Sequence, residues 1–275
     1  MVASYVTDIF HNLYAAEAES RPCEYMEFQE DINAKMRAIL VDWLIEVHMK
    51  FRLVPETLHL CINIIDRYCS IVPVKRSKLQ LVGITALLIA CKYEEIYPPE
   101  VRDCVVITDR AYQRKDVLNM EQDIVHKLCF KITVPTAYPF LQRYLNLVKA
   151  PSLVQHAANY YMERTLQEHD MLCFKPSLVS ASAVILALNN SCFQKSDDFT
   201  SSSKMHELLI EYTGFNENEI TKCSKLIIKK LGEEPITNSR RQLVAAKRKY
   251  DNKKYQFVST SFDLPTVKTI QSTSI

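Results

Sequence analysis

The chain has 275 residues, only 3 of them glycine, with 48% hydrophobic residues and a formal net charge of +2. Average usage would supply roughly 19 glycines; with Gly83, Gly214 and Gly232 far apart, glycine-rich phosphate loops are excluded and a hairpin-rich β fold is disfavoured. The near-neutral balance gives no bulk electrostatic reason to bind nucleic acid or a membrane surface, and the length suits one large domain or two ordinary ones.

Apolar residues recur at helical spacing along most of the chain. Val6, Ile9, Phe10, Leu13 and Tyr14 form one stripe of a first helix, predicted from about Val2 to Ala18 and broken by Arg21-Pro22. Asp31 or Asn33 is a suitable N-cap for a second helix to about Phe51. Pro55 fits the first position of a third, ending near Cys69. Arg76 to Tyr93 reads as a fourth, apolar nearly all round, as a central bundle helix is. A short helix is expected from Pro98-Pro99 to about Val106, and another from Arg114 to Leu128. After an extended connector at Lys131–Thr136, five further helices are expected, over about 137–149, 152–171, 177–191, 203–212 and 217–231. Gly214 and Gly232 stand where helix C-caps belong. Gly83 lies inside the fourth helix, at a cost near 1 kcal/mol relative to alanine, which suggests close helix–helix approach. The expected fold is therefore all-α, an N-terminal helix followed by two groups of five helices, with the domains at 1–30, 31–132 and 133–233. Residues 234–275 read as a polar, mostly disordered tail with a short helix at 239–250.

The charge is uneven. Residues 236–254 carry Arg240, Arg241, Lys247, Arg248, Lys249, Lys253 and Lys254 against Asp251 alone, which leaves the rest of the chain at −4. Nine cysteines, an odd number with no Cys-x-x-Cys pair, read as reduced, mostly buried thiols of an intracellular protein, without a disulfide framework or zinc spacing. The start of the chain has no signal-peptide pattern. The longest apolar stretch, Leu79 to Cys91, is too short to span a bilayer.

An enzyme finds little support. The seven histidines form no His-Glu-x-x-His motif, and no serine sits in a nucleophile elbow. Glu94-Glu95 could do acid–base work, but a structural role at a helix end weighs more. No metal and no cofactor is called for.

The second helix is unusual. Between Met36 and Val47 its polar residues are only Arg37, Asp42 and Glu46. Such a helix is either buried on all sides or buries one face and binds with another. It also carries Trp43, the single tryptophan of the chain, and tryptophan is enriched at binding hot spots. A guanidinium in this apolar setting needs a carboxylate; Asp66, flanked by apolar residues in the next helix, is the expected partner of Arg37, as a fold-specifying pair.

MRAILVDWLIEV, PETLHLCINIIDRY, KLQLVGITALLIACKYEEIYPPEV and NMEQDIVHKLCF together resemble the cyclin box of mitotic cyclins, closest to the B-type. VPTAYPFLQRYL and FKPSLVSASAVILAL resemble the second cyclin box of that family, so the resemblance covers about residues 2–232. It implies two tandem five-helix cyclin-box domains and a regulatory subunit that binds and activates a cyclin-dependent serine/threonine kinase at G2/M, in nucleus and cytoplasm, and is not itself an enzyme. The partner would hold ATP and magnesium, and the chain would dock on its C helix, the element whose position controls kinase activity. By resemblance, Lys92 and Glu121 match the pair that hydrogen-bonds the kinase segment around that helix. Tyr93, Ile96 and Phe130, with Ile132 nearby, match the apolar part of that interface, and Tyr5, Ile9 and Leu13 match positions of the N-terminal helix that pack on the kinase. Met36, Ile39, Leu40, Trp43, Glu46 and Gln80 match a docking patch for Arg-x-Leu segments of substrates or inhibitors. Arg37 and Asp66 match the family's internal ion pair. A phosphate pocket of B-type relatives would use Arg143 and His156, but a lysine expected four residues after the histidine is Tyr160 here. No destruction box precedes the first helix. The alternative is a cyclin-fold transcription factor or adaptor that binds nucleic acid through its basic tail; salt-dependent DNA binding separates the two.

Overall fold

A computed structural model describes residues 3–22, 24–190, 202–233, 237–238 and 241–260. The described chain is helical apart from one two-residue ladder: α1 Val6–Ser20, α2 Ala34–Phe51, α3 Pro55–Cys69, α4 Arg76–Glu94, α5 Val101–Ile107, α6 Arg114–Lys127, α7 Ala137–Leu147, α8 Ser152–Thr165, α9 Pro176–Leu188, α10 Ser202–Thr213, α11 Glu217–Gly232 and α12 Ala245–Tyr250. Single 3-10 turns precede α1 at Ala3–Tyr5 and lie at Met26–Phe28, His169–Cys173 and Lys253–Tyr255.

Local sequence explains the ends. Asn33 accepts a hydrogen bond from the Met36 N–H and starts α2. Pro55 opens α3, its missing N–H costing nothing at that position. Reciprocal caps fix three starts: Glu100 with Asp103, Gln113 with Asp116, and Asn216 with Glu219. The first of these moves the start of α5 past the two prolines expected to open it. Gly214 ends α10 with φ +68°, its N–H returning to the Ile210 carbonyl. Gly232 is not such a cap: it is the last helical residue of α11, and Glu233 follows in extended conformation.

The chain forms two compact units. The first comprises residues 1–139, 166–176 and 235–246, and the second residues 140–165, 177–234 and 247–275. Both units are discontinuous in sequence. The reason is apolar: Leu166, Leu172, Ala245 and Ala246 pack with the core of the first unit. The carbonyl of Leu166 also accepts from Arg37 Nη1 at 2.9 Å, and α8 ends at Thr165 rather than near 171.

In the first unit α4 is the centre, packed against α2, α3, α5 and α6, and every residue from Leu81 to Cys91 is buried. In the second unit α9 is buried from Ser177 to Leu188, while α8 packs on α11.

The segment expected to be a disordered tail differs in its described part. Residues 237–238 pair antiparallel with 241–242, and Leu243, Ala245, Ala246, Lys249, Tyr250 and Val258 are buried. Within the second unit Lys249 Nζ donates to Glu163 Oε2 at 2.6 Å, and Tyr250 Oη donates to the same oxygen at 3.1 Å. A run of cations thus reads as solvated only until an acid buried in α8 claims one of them. The tail beyond 260, Val2, Cys23 and Cys192 lie outside the described residues.

The described cysteines are all free thiols; Cys61, Cys69, Cys91, Cys104 and Cys223 are buried, whereas Cys129 and Cys173 are exposed. Burial, reinforced by the Asp66 carboxylate, pushes the Cys69 thiol up to about 12, so it stays protonated and unreactive. Among the described residues no group of His, Cys, Asp or Glu could hold a metal ion, and no helix is long and apolar enough to cross a membrane.

Candidate functional site

The first site is a groove along α2. Its buried face, Leu40, Val41, Leu44, Ile45 and Val47, belongs to the core. Met36, Ile39, Trp43 and Glu46, spaced three, four and three residues apart, form a half-buried row beside it. This row, with Leu40 below it and Gln80 of α4 opposite, lines a cavity of about 450 Å³ that all six predicted patch residues share. Asp42, Arg76, Leu79 and Leu243 complete the lining. Sequence reading missed these four. Leu79 and Arg76 lie within one turn of Gln80, a signal that periodicity offered. Leu243 had no local signal at all.

Beneath the groove, Arg37 and Asp66 meet in a two-pronged ion pair: Nε to Oδ1 and Nη2 to Oδ2, both at 2.6 Å, with each side chain 2% exposed. Tyr25 Oη donates to Asp66 Oδ1 at 2.7 Å, and the Tyr25 ring meets His169 edge-on at 4.8 Å. His169 in turn bonds Glu24. Burial works against the Arg37 charge, but the adjoining Asp66 carboxylate outweighs it and raises the pKa. The Tyr25 hydroxyl is pushed far up by burial and then by Asp66. Both side chains are buried against each other, the arrangement that an interior guanidinium requires.

The second site surrounds the end of α4. Lys92 Nζ and Glu121 Oε1 of α6 form an ion pair at 2.5 Å, the lysine half exposed. Tyr93 is bonded to Thr133 Oγ1 at 2.6 Å, which ties the end of α4 to the connector after α6. Next to this pair stand large apolar side chains in water: Ile96 is 87% exposed, Tyr97 90% and Phe130 68%. Phe130 is held out by a left-handed backbone, φ 60°, and its ring meets that of His126 at 5.3 Å. Ile132 instead is tucked against the core. Tyr97 went unremarked in the sequence because it precedes two prolines and looks like loop. On α1, Tyr5 is 62% exposed and Ile9 is exposed, Leu13 is half-buried, and Phe10 turns to the interior.

Glu95 has a structural role. Glu95 Oε1 accepts from the Val54 N–H at 2.8 Å and from Thr57 Oγ1 at 2.6 Å, closing the start of α3. Glu94 stands near Glu56, whose carboxyl burial pushes up to about 7 despite a 2.6 Å hydrogen bond from Thr136.

The residues weighed for a phosphate pocket are engaged otherwise. Arg143 donates to Tyr212 Oη at 2.9 Å and lies over its ring. His156 meets Tyr255 edge-on at 5.5 Å, and Tyr160 packs against Tyr161 and Tyr250. Aromatic rings thus occupy the surroundings of His156 and Tyr160.

Two units that are helical in their described residues apart from one short ladder, the first with an apolar groove along α2, have the architecture of the cyclin box. The chain belongs to the cyclin family: the cyclin N-terminal domain matches residues 8–133 and the cyclin C-terminal domain residues 135–264. Its relatives are B-type cyclins. It is 45% identical over 232 residues to Cyclin-B1-1 of Oryza sativa subsp. japonica, covering 82% of this chain and 50% of the relative. It is 42% identical over 258 residues to G2/mitotic-specific cyclin-1 of Medicago sativa subsp. varia, covering 92% and 58%. The chain therefore spans about half the length of these curated relatives. Its fold is that of a viral cyclin from herpesvirus saimiri, with a TM-score of 0.71, 20% identity and coverage of 82% and 97%. A chain of the yeast RNA polymerase II CTD kinase complex shares it more loosely, with a TM-score of 0.56, 12% identity and coverage of 79% and 70%.

Proposed function

We propose that this chain is a regulatory subunit that binds and activates a cyclin-dependent serine/threonine kinase in mitosis, without catalysing a reaction itself. The observation that carries the reading is the Lys92–Glu121 pair beside exposed Ile96, Tyr97 and Phe130. A lysine offers donors and a glutamate acceptors, so together they satisfy the orphan carbonyl and amide groups at a partner helix end and fix its direction. The apolar side chains around them supply the area for a stable interface. Tyr5 and Ile9 of α1, also exposed, are proposed to pack on the kinase as well. The relatives' B-type and G2/mitotic-specific character supports the cell-cycle phase, and the CTD kinase complex supports a kinase partner.

The α2 groove is proposed to receive Arg-x-Leu segments of substrates or inhibitors. Leucine would enter the surface of Met36, Ile39, Leu40 and Trp43, arginine would meet Glu46, and Gln80 would bond the peptide backbone. The protein is proposed to work in nucleus and cytoplasm, which a fluorescent fusion followed through division would test.

The decisive experiment is co-purification with a mitotic cyclin-dependent kinase and assay of histone phosphorylation. Stable association and kinase activity dependent on the chain are expected. A chain that neither binds nor activates any such kinase sinks the reading.

A further inference from the structure

The first unit holds another cavity, of about 310 Å³, where the ends of α1, α3 and α6 meet. Five charged side chains line it: Glu19 and Arg21 at the end of α1, Arg67 in the last turn of α3, and Lys127 and Lys131 on either side of the turn that closes α6. That turn is tight. Cys129 and Phe130 are both left-handed, with φ 51° and 60°, and the Lys131 N–H donates to the Leu128 carbonyl at 3.0 Å. Among the described residues none of the four cations has an ion-pair partner, and Glu19 pairs with none of them. Arg21 makes one long bond, Nη1 to the Cys173 carbonyl at 3.4 Å. Arg67 is half-buried, and its Nη1 is enclosed without a hydrogen-bond partner. The neighbouring carboxylate, Asp66, is committed to Arg37 and Tyr25. Burial lowers the pKa of Arg67, and no carboxylate acts against it.

Part of this charge has a local explanation, since each helix C-terminus carries about half a negative charge. Three such ends offset roughly one and a half cations, and Glu19 offsets one more. The four cations still leave an excess of roughly +1.5. A single carboxylate would meet only part of that. A phosphorylated serine or threonine brings about −1.5 to −2 near pH 7, with three acceptor oxygens. We propose that this cavity is a docking site for a phosphoserine or phosphothreonine side chain of a partner protein segment. Arg67, held in place by α3, offers the planar fork that suits a phosphate, and Lys127 and Lys131 close on it as point charges. Ile71, 52% exposed in the same lining, supplies apolar surface for the rest of the segment. The cations converge on one cavity instead of running along a stripe, which fits one phosphate and not the repeating phosphates of a nucleic acid. The site is separate from the α2 groove and does not rest on the kinase reading.

The test uses the full 275-residue chain without a kinase, so that no other protein supplies or covers the phosphate. A dye-labelled peptide, Gly-Ala-Val-phosphoserine-Val-Ala-Gly, and its unphosphorylated twin are titrated by fluorescence anisotropy at low ionic strength. The phosphopeptide should bind on the order of tenfold or more tightly than its twin. Arg67→Gln and the pair Lys127→Gln/Lys131→Gln should each weaken it on the order of tenfold, whereas Glu19→Gln should tighten it. Lys115→Gln, on α6 but outside the lining, should leave it unchanged. Circular dichroism checks that each variant folds. If Arg67→Gln does not, the two exposed lysines carry the test. Equal binding of the two peptides overturns the proposal, as does an affinity that the lining variants leave unaltered. An equal loss in Lys115→Gln reduces the effect to bulk charge and overturns it too. Displacement by inorganic phosphate at the peptide's own affinity makes the cavity a free-anion site. Tighter binding of a single-stranded oligonucleotide makes it a nucleic-acid site, and either result overturns the assignment to a phosphorylated protein segment.

Discussion

Gly83 of α4 faces Leu40 of α2 so closely that a Cβ at Gly83 would lie 2.7 Å from Leu40 Cδ1 and within 3.2 Å of its Cγ. The glycine inside the central helix is therefore a packing requirement, and what it admits is a side chain that lines the groove. Alanine would favour the helix by about 1 kcal/mol, but overpacking a close-packed core costs about 1–3 kcal/mol. Gly83→Ala is expected to lower stability by about 1 kcal/mol net in urea unfolding. Combined with Leu40→Ala it should cost less than the sum of the two single changes. A stabilised Gly83→Ala protein would show that Leu40 swings aside freely.

The buried Arg37–Asp66 pair sets up a second expectation. Removal of either partner strands the other charge in the interior, which costs about 3–5 kcal/mol. Asp66→Ala should be at least as harmful as Arg37→Ala, because it leaves both the guanidinium and the Tyr25 hydroxyl without their acceptor. Replacement of the pair by Arg37→Met/Asp66→Leu should recover part of the loss. Chemical denaturation of the four proteins measures this, and near-wild-type stability of Asp66→Ala is the contrary result.

The Lys92–Glu121 pair should behave in the opposite way. It is partly exposed, and such pairs contribute about 0–1 kcal/mol. Glu121→Lys should leave the melting midpoint within a few degrees of wild type yet weaken kinase binding by at least tenfold, as loss of a charge-assisted bond at an interface does. The exchange Lys92→Glu/Glu121→Lys restores attraction within the chain and should still fail to bind. Calorimetric titration with the purified kinase gives the answer, and full affinity of the exchanged protein would remove the pair from the interface.

Glu56 predicts a pH dependence. Its pKa in the folded chain is raised to about 7, first by burial, whereas an unfolded glutamate titrates near 4.3. The folded state therefore holds a proton that the unfolded state releases, and stability falls as pH rises from about 4.3 to about 7. The penalty is absent below that window and complete above it. Glu56→Gln keeps an oxygen that can accept from Thr136 and carries no charge, so it should be more stable than wild type at pH 8, by up to about 3 kcal/mol, and nearly equal at pH 4.5. Thermal melts across pH 4.5–8 test this; parallel curves for the two proteins would place Glu56 in water.

Much of this protein is legible in its sequence because helices declare themselves locally. Asn33 and Pro55 mark helix starts by side-chain chemistry that needs no tertiary partner, and the apolar face count of α2 shows a helix with more hydrophobic surface than one core contact uses. Arg37 and Asp66 could be matched because a buried charge has few possible partners. Other features could not be read this way. Glu100 and Gln113 are unremarkable letters until their reciprocal caps form. Tyr97 looks like loop until its exposure is seen. Lys249 reads as one cation among many until Glu163 is found buried beside it.

What the sequence determined by itself is the helical class, the order of the helices, the excess hydrophobicity of α2 and the exclusion of a nucleotide loop, since spacing and composition are local properties. What only the tertiary structure decided is where residues 241–260 go. A basic, polar stretch has too little apolar surface to dictate its own position, and its few anchors, Leu243, Ala245 and Tyr250, bind to partners roughly a hundred to two hundred residues away. The Asp42 carboxylate that receives Ala245 lies across 203 positions of sequence, a distance over which no local pattern carries information.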